Sequence, residues 1–414
     1  MERVLIHDKI HYWLLVLIGF CIPLTKEVLP LLVAGLIVNW IVSGQPRNLL
    51  SLGKKKGYVL LFSAYYLMHL VGLAYSENIQ FGLFDLEIKL SLMLFPLLLA
   101  TSKVLNPSQQ LGVVMAFIWG CLSGVFISLG NGFYHFYLTQ DISCIYYSQL
   151  SLFHHPGYYS MYLCLSIVLG AYYLVYQKAM TNRLQRVVFS TVIPLFSIFI
   201  TLLMSKIGII CLGLVLLAGL FVVVVVEKQV KKGIVLTIIG ALLFMGLYNT
   251  APRPFTRFET AATVYMDQSE NLETNSAEST TARLLVWPIA LQMGWENPLL
   301  GVGTGDIKDE LIKRYEANDL KGVLDRKFNV HNQFLQSFAA LGLLGFLAFL
   351  LGFCIPLYQC IKTRDWMYGG FIAIVVLNCT IESILEVQAG VIFFAFFNSF
   401  FAFNPIGKKN MDHN

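Results

Sequence analysis

Apolar runs long enough to cross a membrane recur from Ile10 almost to the last residues, and this repetition constrains the fold more than any other feature of the chain. A helix needs roughly 17 to 25 apolar residues to cross a hydrocarbon core about 30 Å thick, and inside lipid a helix satisfies its own backbone hydrogen bonds. Twelve stretches, some of them short, meet this requirement: 10–24, 28–43, 57–75, 83–100, 110–129, 157–177, 187–203, 207–226, 233–249, 333–357, 366–380 and 389–404. Of 414 residues 57% are hydrophobic and only 13% charged, too little polar surface to cover a soluble globule of this size. The expected fold is all-α, a polytopic integral membrane protein with about 12 transmembrane helices and a long, partly helical loop over 250–330. No linker of domain-boundary character interrupts the runs, so residues 1–414 read as a single membrane domain.

Cationic residues near helix ends stay on the cytoplasmic side, which fixes an orientation. With the N-terminus inside, alternate connections carry Arg47 with Lys54 to Lys56, Lys103, Lys178 with Arg183 and Arg186, Lys228 with Lys231 and Lys232, Lys362 with Arg364, and Lys408 with Lys409. The opposite loops are nearly free of positive charge, except 250–330, which is long enough to translocate regardless of charge. Both termini are then cytoplasmic and the large loop faces outward. The first run follows Arg3 and Lys9 as a signal peptide would, but no small-x-small cleavage site follows, so it reads as a retained helix. The net charge of +5 sits at helix ends rather than on one face, which argues against nucleic acid as a partner. Seven of the eight cysteines fall in or beside apolar runs, leaving Cys144 alone in an outer loop, so no disulfide is predicted and no zinc-site spacing appears. In the fourth run Asp85, Glu87 and Lys89 sit close together, so either the spanning helix begins later or Glu87 and Lys89 lie near an interface, the second being the preferred reading.

Within the large loop, Asp267 to Thr281 is polar, Arg283 to Trp295 has apolar residues at helical spacing, and Asp306 to Ala317 reads as an amphipathic helix. Between them Asn297-Pro298-Leu299-Leu300-Gly301-Val302-Gly303-Thr304-Gly305 forms a tight glycine turn. Its glycines have no flanking strand and crossover helix, so they do not make a nucleotide site. At the end of the loop His331-Asn332 precedes a span whose Gly342 and Gly345 allow close approach of a neighbouring helix. A histidine there can serve as a base near neutral pH or simply cap the helix. Glu382 and Glu386, spaced by four at the end of the eleventh span, fall on one helical face. They can orient His331, neutralise a cation, recognise a sugar hydroxyl, or merely sit at the interface. His154, His155, Pro156 and Tyr158 begin the sixth span; neither histidine has a metal-ligating partner at helical spacing, so His155 and Tyr158 are candidates for sugar or lipid contact. No Asp-x-Asp pair suggests a bound divalent cation.

His331-Asn332, then nine residues, then Gly342-x-x-Gly345 resembles the motif of the O-antigen ligase and O-antigen polymerase superfamily. Arg283 with Trp287, followed by Asn297-Pro298-Leu299-Leu300-Gly301-Val302-Gly303, is similar to the segment that precedes the histidine in that family. The family's Ser-Arg pair at the start of a middle helix corresponds here to Ser205-Lys206, where lysine keeps the charge and loses the bidentate fork that suits phosphate. The resemblance implies transfer of a glycan from an undecaprenyl diphosphate carrier to an acceptor hydroxyl at the periplasmic face of a bacterial inner membrane, with the lipid A-core as first choice of acceptor. It implies His331 as the base and Arg283 and Lys206 on the diphosphate, with Asn332 and Trp287 from the matching segments as substrate contacts; Glu382, Glu386, His155 and Tyr158 join them as substrate contacts on the residue chemistry above, and no cofactor or metal is expected. A repeat-unit polymerase and a protein O-oligosaccharyltransferase share this donor chemistry. A lipid-linked sugar transporter is the alternative of another class, although no internal repeat is evident.

Overall fold

The computed structural model describes residues 2–250, 253, 256 and 279–405. Most of the polar stretch beginning at Asp267 lies outside the described residues. The described chain is helical throughout and contains no strand. Five helices are long and apolar enough to cross a membrane by length and composition: Pro107–Thr139, Pro156–Tyr176, Arg183–Leu202, Lys206–Val226 and Gln333–Thr363. Leu29–Val42 and Gln45–Ser51 pass the same test as a pair bent by 74°, and Trp366–Cys379 and Gln388–Phe403 are shorter apolar helices. The chain is thus a multi-pass membrane protein. Helix starts follow ordinary capping chemistry. Asn106 with Gln109 and Asn182 with Gln185 form reciprocal capping boxes, and Pro107 and Pro156 occupy the first turns of their helices, where a missing N–H is tolerated.

Three expectations about the spans need correction. The fourth is two helices, Ile79–Lys89 and Ser91–Thr101, with the break at Leu90, whose N–H bonds back only three residues to Glu87 O (3.3 Å). Lys89 is fully enclosed by protein rather than set at an exposed interface. The eleventh ends at Cys379, so Glu382 and Glu386 stand on a turn and a short 3-10 segment and share no helical face.

The described chain forms two compact units. One comprises Met1–Asp8, Leu36–Val104 and Ala261–Pro405; in it the long helix Gln333–Thr363 packs against Lys55–Leu73, Ser279–Glu296 and Trp366–Cys379, while Gln388–Phe403 packs against Ser91–Thr101. Phenylalanines line Gln388–Phe403 on both sides, with Phe95 of Ser91–Thr101 edge-on to Phe396 and Phe371 of Trp366–Cys379 stacked on Phe394. The other unit comprises Lys9–Gly35 and the described residues of 105–256, and in it Pro156–Tyr176 packs against Arg183–Leu202 and Lys206–Phe221.

Gly342 of the His331 span serves a purpose other than the predicted helix-helix contact. At Gly342 (φ 60°, ψ −161°) the helix kinks, and the glycine turn docks backbone to backbone into the gap. Val302 N donates to Ala339 O (3.0 Å) and Gly303 N to Ala340 O (2.9 Å), while Leu343 N donates to Pro298 O (2.7 Å). The kink frees these carbonyls and amides, and the turn satisfies them. A Cβ on Gly342 would stand 2.4 Å from Leu299 C, and one on Gly301 (φ 71°) 2.4 Å from Ala340 C. The turn is also fixed to the first unit's helices: Thr304 Oγ1 donates to His69 O (2.8 Å), Gly305 N to Ser76 Oγ (2.9 Å), and the Asp306 carboxylate accepts from Glu77 N and Asn78 N. Gly342→Ala combines a positive φ with a backbone clash and is expected to destabilise the protein by about 2 kcal/mol or more. Thermal unfolding of the purified protein in detergent checks this; an unchanged midpoint would mean that the turn does not dock as described.

Candidate functional site

Three segments of the first unit converge at His331. The first is the helix Ser279–Glu296, which presents Arg283 and, one turn later, Trp287. Arg283 is buried and donates through Nη2 to Glu382 Oε1 (2.7 Å) and through Nε to Ile381 O (3.0 Å), so its fork grips both the side chain and the backbone of the turn after Cys379. Trp287 donates its indole N–H to Val330 O (3.1 Å), which holds the residue before the histidine. Farther along, the Arg314 guanidinium holds the Glu296 carboxyl below the usual range and ties this helix to Ile307–Ala317, the predicted amphipathic helix.

The second segment is the entry to the long helix. Asn332 is its N-cap, accepting from Phe334 N (3.0 Å) and Leu335 N (3.1 Å), and it donates to Thr380 O (3.0 Å). Asn332 N donates to Ser383 Oγ (3.2 Å). His331 stands just outside the helix at φ 49°, with its N–H on Asn329 Oδ1 (3.0 Å) and its ring edge-on to Phe328. Such a φ costs a non-glycine residue about 1 kcal/mol.

The third segment is the turn 380–386. Glu382 Oε2 lies 3.0 Å from His331 Nδ1, while its Oε1 holds Arg283. A carboxylate only accepts, so in the neutral imidazole the ring proton is on Nδ1 and the lone pair on Nε2. The His331 side chain is 28% exposed and that of Glu382 13%. The arrangement is a partly exposed imidazole with one fixed tautomer, and a carboxylate placed to stabilise it when protonated. That is the constitution of a general base with its orienting partner.

Glu386 belongs to a second network. It accepts from Lys89 Nζ (2.7 Å) and from Gln333 Nε2 (2.9 Å), and Gln333 Oε1 accepts from Leu385 N (2.8 Å). Lys89 also pairs with Asp85, one helical turn earlier, and His69 Nε2 lies 3.9 Å from the same carboxylate. Gln333 Nε2 reaches Tyr65 OH (3.2 Å), whose oxygen is 2.7 Å from Ser337 Oγ. The network fastens the turn bearing Glu382 from below, as Arg283 does from the side. Lys89 and Gln333 were not among the predicted site residues. The signal that could have found them is the unusual presence of Asp85 and Lys89 at i,i+4 inside an apolar run.

The other predicted residues lie in the second unit. Lys206, half-buried, opens the helix Lys206–Phe221, whose N-cap Ser205 accepts from Gly208 N (3.2 Å). His155 is exposed, caps Pro156–Tyr176 and sits edge-on between Tyr147 and Tyr158. The two helix starts are close, since a Cβ on Gly208 would meet Ser160 Cβ at 2.5 Å. His154 is buried, with Nε2 3.1 Å from Ile22 O, and burial pushes its pKa down to about 4. It is a packing residue.

Residues 189–350 match the Wzy_C family, described as O-Antigen ligase. Over these residues the chain is similar to the O-antigen ligase family. The matched segment contains Ser205-Lys206, Arg283, Trp287, the glycine turn and the His331 motif, and it stops short of Glu382 and Glu386. No curated protein matches the chain.

Removing Lys89 would leave Asp85 and Glu386 buried without their shared cation, which costs about 3–5 kcal/mol for a broken buried pair. Lys89→Met is expected to lower the thermal midpoint sharply. Combining it with Asp85→Asn and Glu386→Gln should restore most of the loss; a triple variant no better than the single one would contradict the ion-pair account.

Proposed function

We propose that this protein transfers a glycan from an undecaprenyl diphosphate carrier to an acceptor hydroxyl at the periplasmic face of a bacterial inner membrane, and that it is the ligase that joins O-antigen to lipid A-core. In this reading residues 1–414 form one membrane domain with about twelve crossings, both termini are cytoplasmic, and the 250–330 loop is periplasmic. The observation that carries the proposal is the hydrogen bond between His331 Nδ1 and Glu382, itself held by Arg283. It supports a base in a family whose chemistry needs one.

The acceptor oxygen attacks the anomeric carbon while His331 Nε2 takes its proton. The bond from that carbon to the carrier's diphosphate breaks, the diphosphate leaves with the electron pair, and a single displacement inverts the anomeric centre. Glu382 stabilises the imidazolium that forms. Diphosphate leaves readily once its charge is matched, so side-chain cations can meet the need without a metal. Arg283 and Lys206 are assigned that role, Lys206 from the family position it occupies. Asn332 and Trp287 keep the histidine in place, Glu386 supports the turn, and His155 and Tyr158 are assigned to sugar or lipid contact.

His331→Asn preserves a residue that tolerates positive φ and removes the base, so it tests chemistry rather than folding. It is expected to lower transfer from a lipid-linked donor by about 10²–10⁴-fold, with insertion and thermal midpoint unchanged. Glu382→Gln is expected to fall in the same range with little change in donor KM. Near-normal turnover in both would remove the base assignment. A knockout distinguishes the ligase from its relatives: full-length polymer should accumulate on the carrier. Single repeat units on the acceptor would instead mean a polymerase, and an unglycosylated protein would mean a protein O-oligosaccharyltransferase.

A further inference from the structure

The first unit contains a polar cavity of about 890 Å³, none of whose lining residues belongs to the His331 site. That size lies within the range of about 300–1,000 Å³ for small-ligand sites. Its walls come from His7 and Asp8, from the bend after Leu29–Val42, and from the C-terminal end of Ser91–Thr101. The bend is made at Gly44 (φ 76°), which turns the chain by 74° into the short helix Gln45–Ser51. Few residues other than glycine adopt that φ.

Three cations, Arg47, Lys55 and Lys103, line this cavity against a single carboxylate, Asp8. Asp8 is 3.2 Å from Lys103 Nζ. Lys55 donates to Ala100 O (3.0 Å) and Asn48 Nδ2 to Thr101 O (2.9 Å), which offsets the negative end of the Ser91–Thr101 helix. Among the described residues the exposed Arg47 guanidinium has no acidic partner. Beside these charges the surface is apolar: Leu50 on the short helix is 96% exposed, and Ile41 and Val42 are exposed as well. A cationic hollow beside exposed aliphatic side chains matches a molecule with a phosphate at one end and hydrocarbon at the other. A soluble anion would make no use of Leu50, Ile41 and Val42, whereas the acyl chains of a lipid would cover them.

We infer that this cavity binds the phosphate-bearing headgroup of an anionic phospholipid of the cytoplasmic leaflet, with Arg47, Lys55 and Lys103 around the phosphate and the acyl chains along Ile41, Val42 and Leu50. The leaflet rests on the proposed topology; the lipid chemistry does not. Cations near an anionic lipid surface are each worth roughly fivefold in binding.

The test titrates fluorescent phosphatidylglycerol or phosphatidylcholine into the purified full-length protein in neutral detergent. Arg47→Gln with Lys103→Gln should weaken phosphatidylglycerol binding more than about tenfold and leave phosphatidylcholine unchanged. Lys54→Gln with Lys56→Gln removes the same charge from residues that do not line the cavity and should change binding less than about twofold. An equal loss in the two pairs would overturn the site in favour of a diffuse basic surface, as would no loss in the first. Displacement of the lipid by an equal concentration of inorganic phosphate would overturn the lipid in favour of a soluble phosphate. The side is read separately. Ser51→Cys in intact cells should not react with a membrane-impermeant maleimide above the wild-type background, and labelling would overturn the cytoplasmic assignment while leaving the binding result intact.

Discussion

The Glu382 carboxylate divides its two oxygens between Arg283 and His331, and the geometry of the candidate site depends on that division. The ion pair with Arg283 is largely shielded from solvent, and the second bond of the guanidinium, to Ile381 O, leaves the turn little freedom to rotate. A carboxylate fixed in this way imposes one tautomer on the imidazole. It also supplies a place for positive charge to develop in a setting where water does little screening. The positive φ of His331 fits this picture: the strain persists because Asn329, Trp287 and Glu382 hold the residue or its neighbour from separate segments.

Behind this site lie two devices of different kinds. One is electrostatic, the Lys89 ammonium shared by Asp85 and Glu386, which draws the 380–386 turn onto the helix Ile79–Lys89. The other is made of backbone, the glycine turn inserted at the kink of the helix that His331 precedes. A buried ion pair gives little net stability but is costly to break, so it specifies position more than it adds energy. The backbone contact requires glycine at both faces, which gives a physical reason for Gly301 in the turn and Gly342 in the helix. Together they provide the rigid support that a base needs if its nitrogen is to meet a substrate oxygen within hydrogen-bond reach.

Much of the architecture was legible in the sequence because hydropathy reports helices directly: the runs at 157–177 and 187–203 reappear as Pro156–Tyr176 and Arg183–Leu202 with only small shifts. Hydropathy does not report breaks. The run 83–100 looked continuous because Leu90 is as apolar as its neighbours, and the kink at Gly342 is invisible in a run rich in leucine. At the site, Arg283, Trp287, His331, Asn332 and Glu382 were each legible from residue type or resemblance. Their pairing was not, since Glu382 is 99 residues from Arg283 and 51 from His331. Glu386 was assigned to the same face as Glu382 on the assumption of a helix that ends at Cys379. Its partner Lys89, 297 residues away, was read as an interfacial cation because nothing local reveals a buried acid so distant in the chain.

The central claim is that Glu382 fixes the His331 ring with its proton on Nδ1, leaving Nε2 as the base. Nitrogen-15 NMR of the histidine side chains, with His331 assigned by its loss in His331→Asn, reads that tautomer directly. The account predicts a neutral His331 protonated at Nδ1 in the native protein and a shift toward the Nε2-protonated form in Glu382→Gln. A native His331 protonated at Nε2 would contradict it.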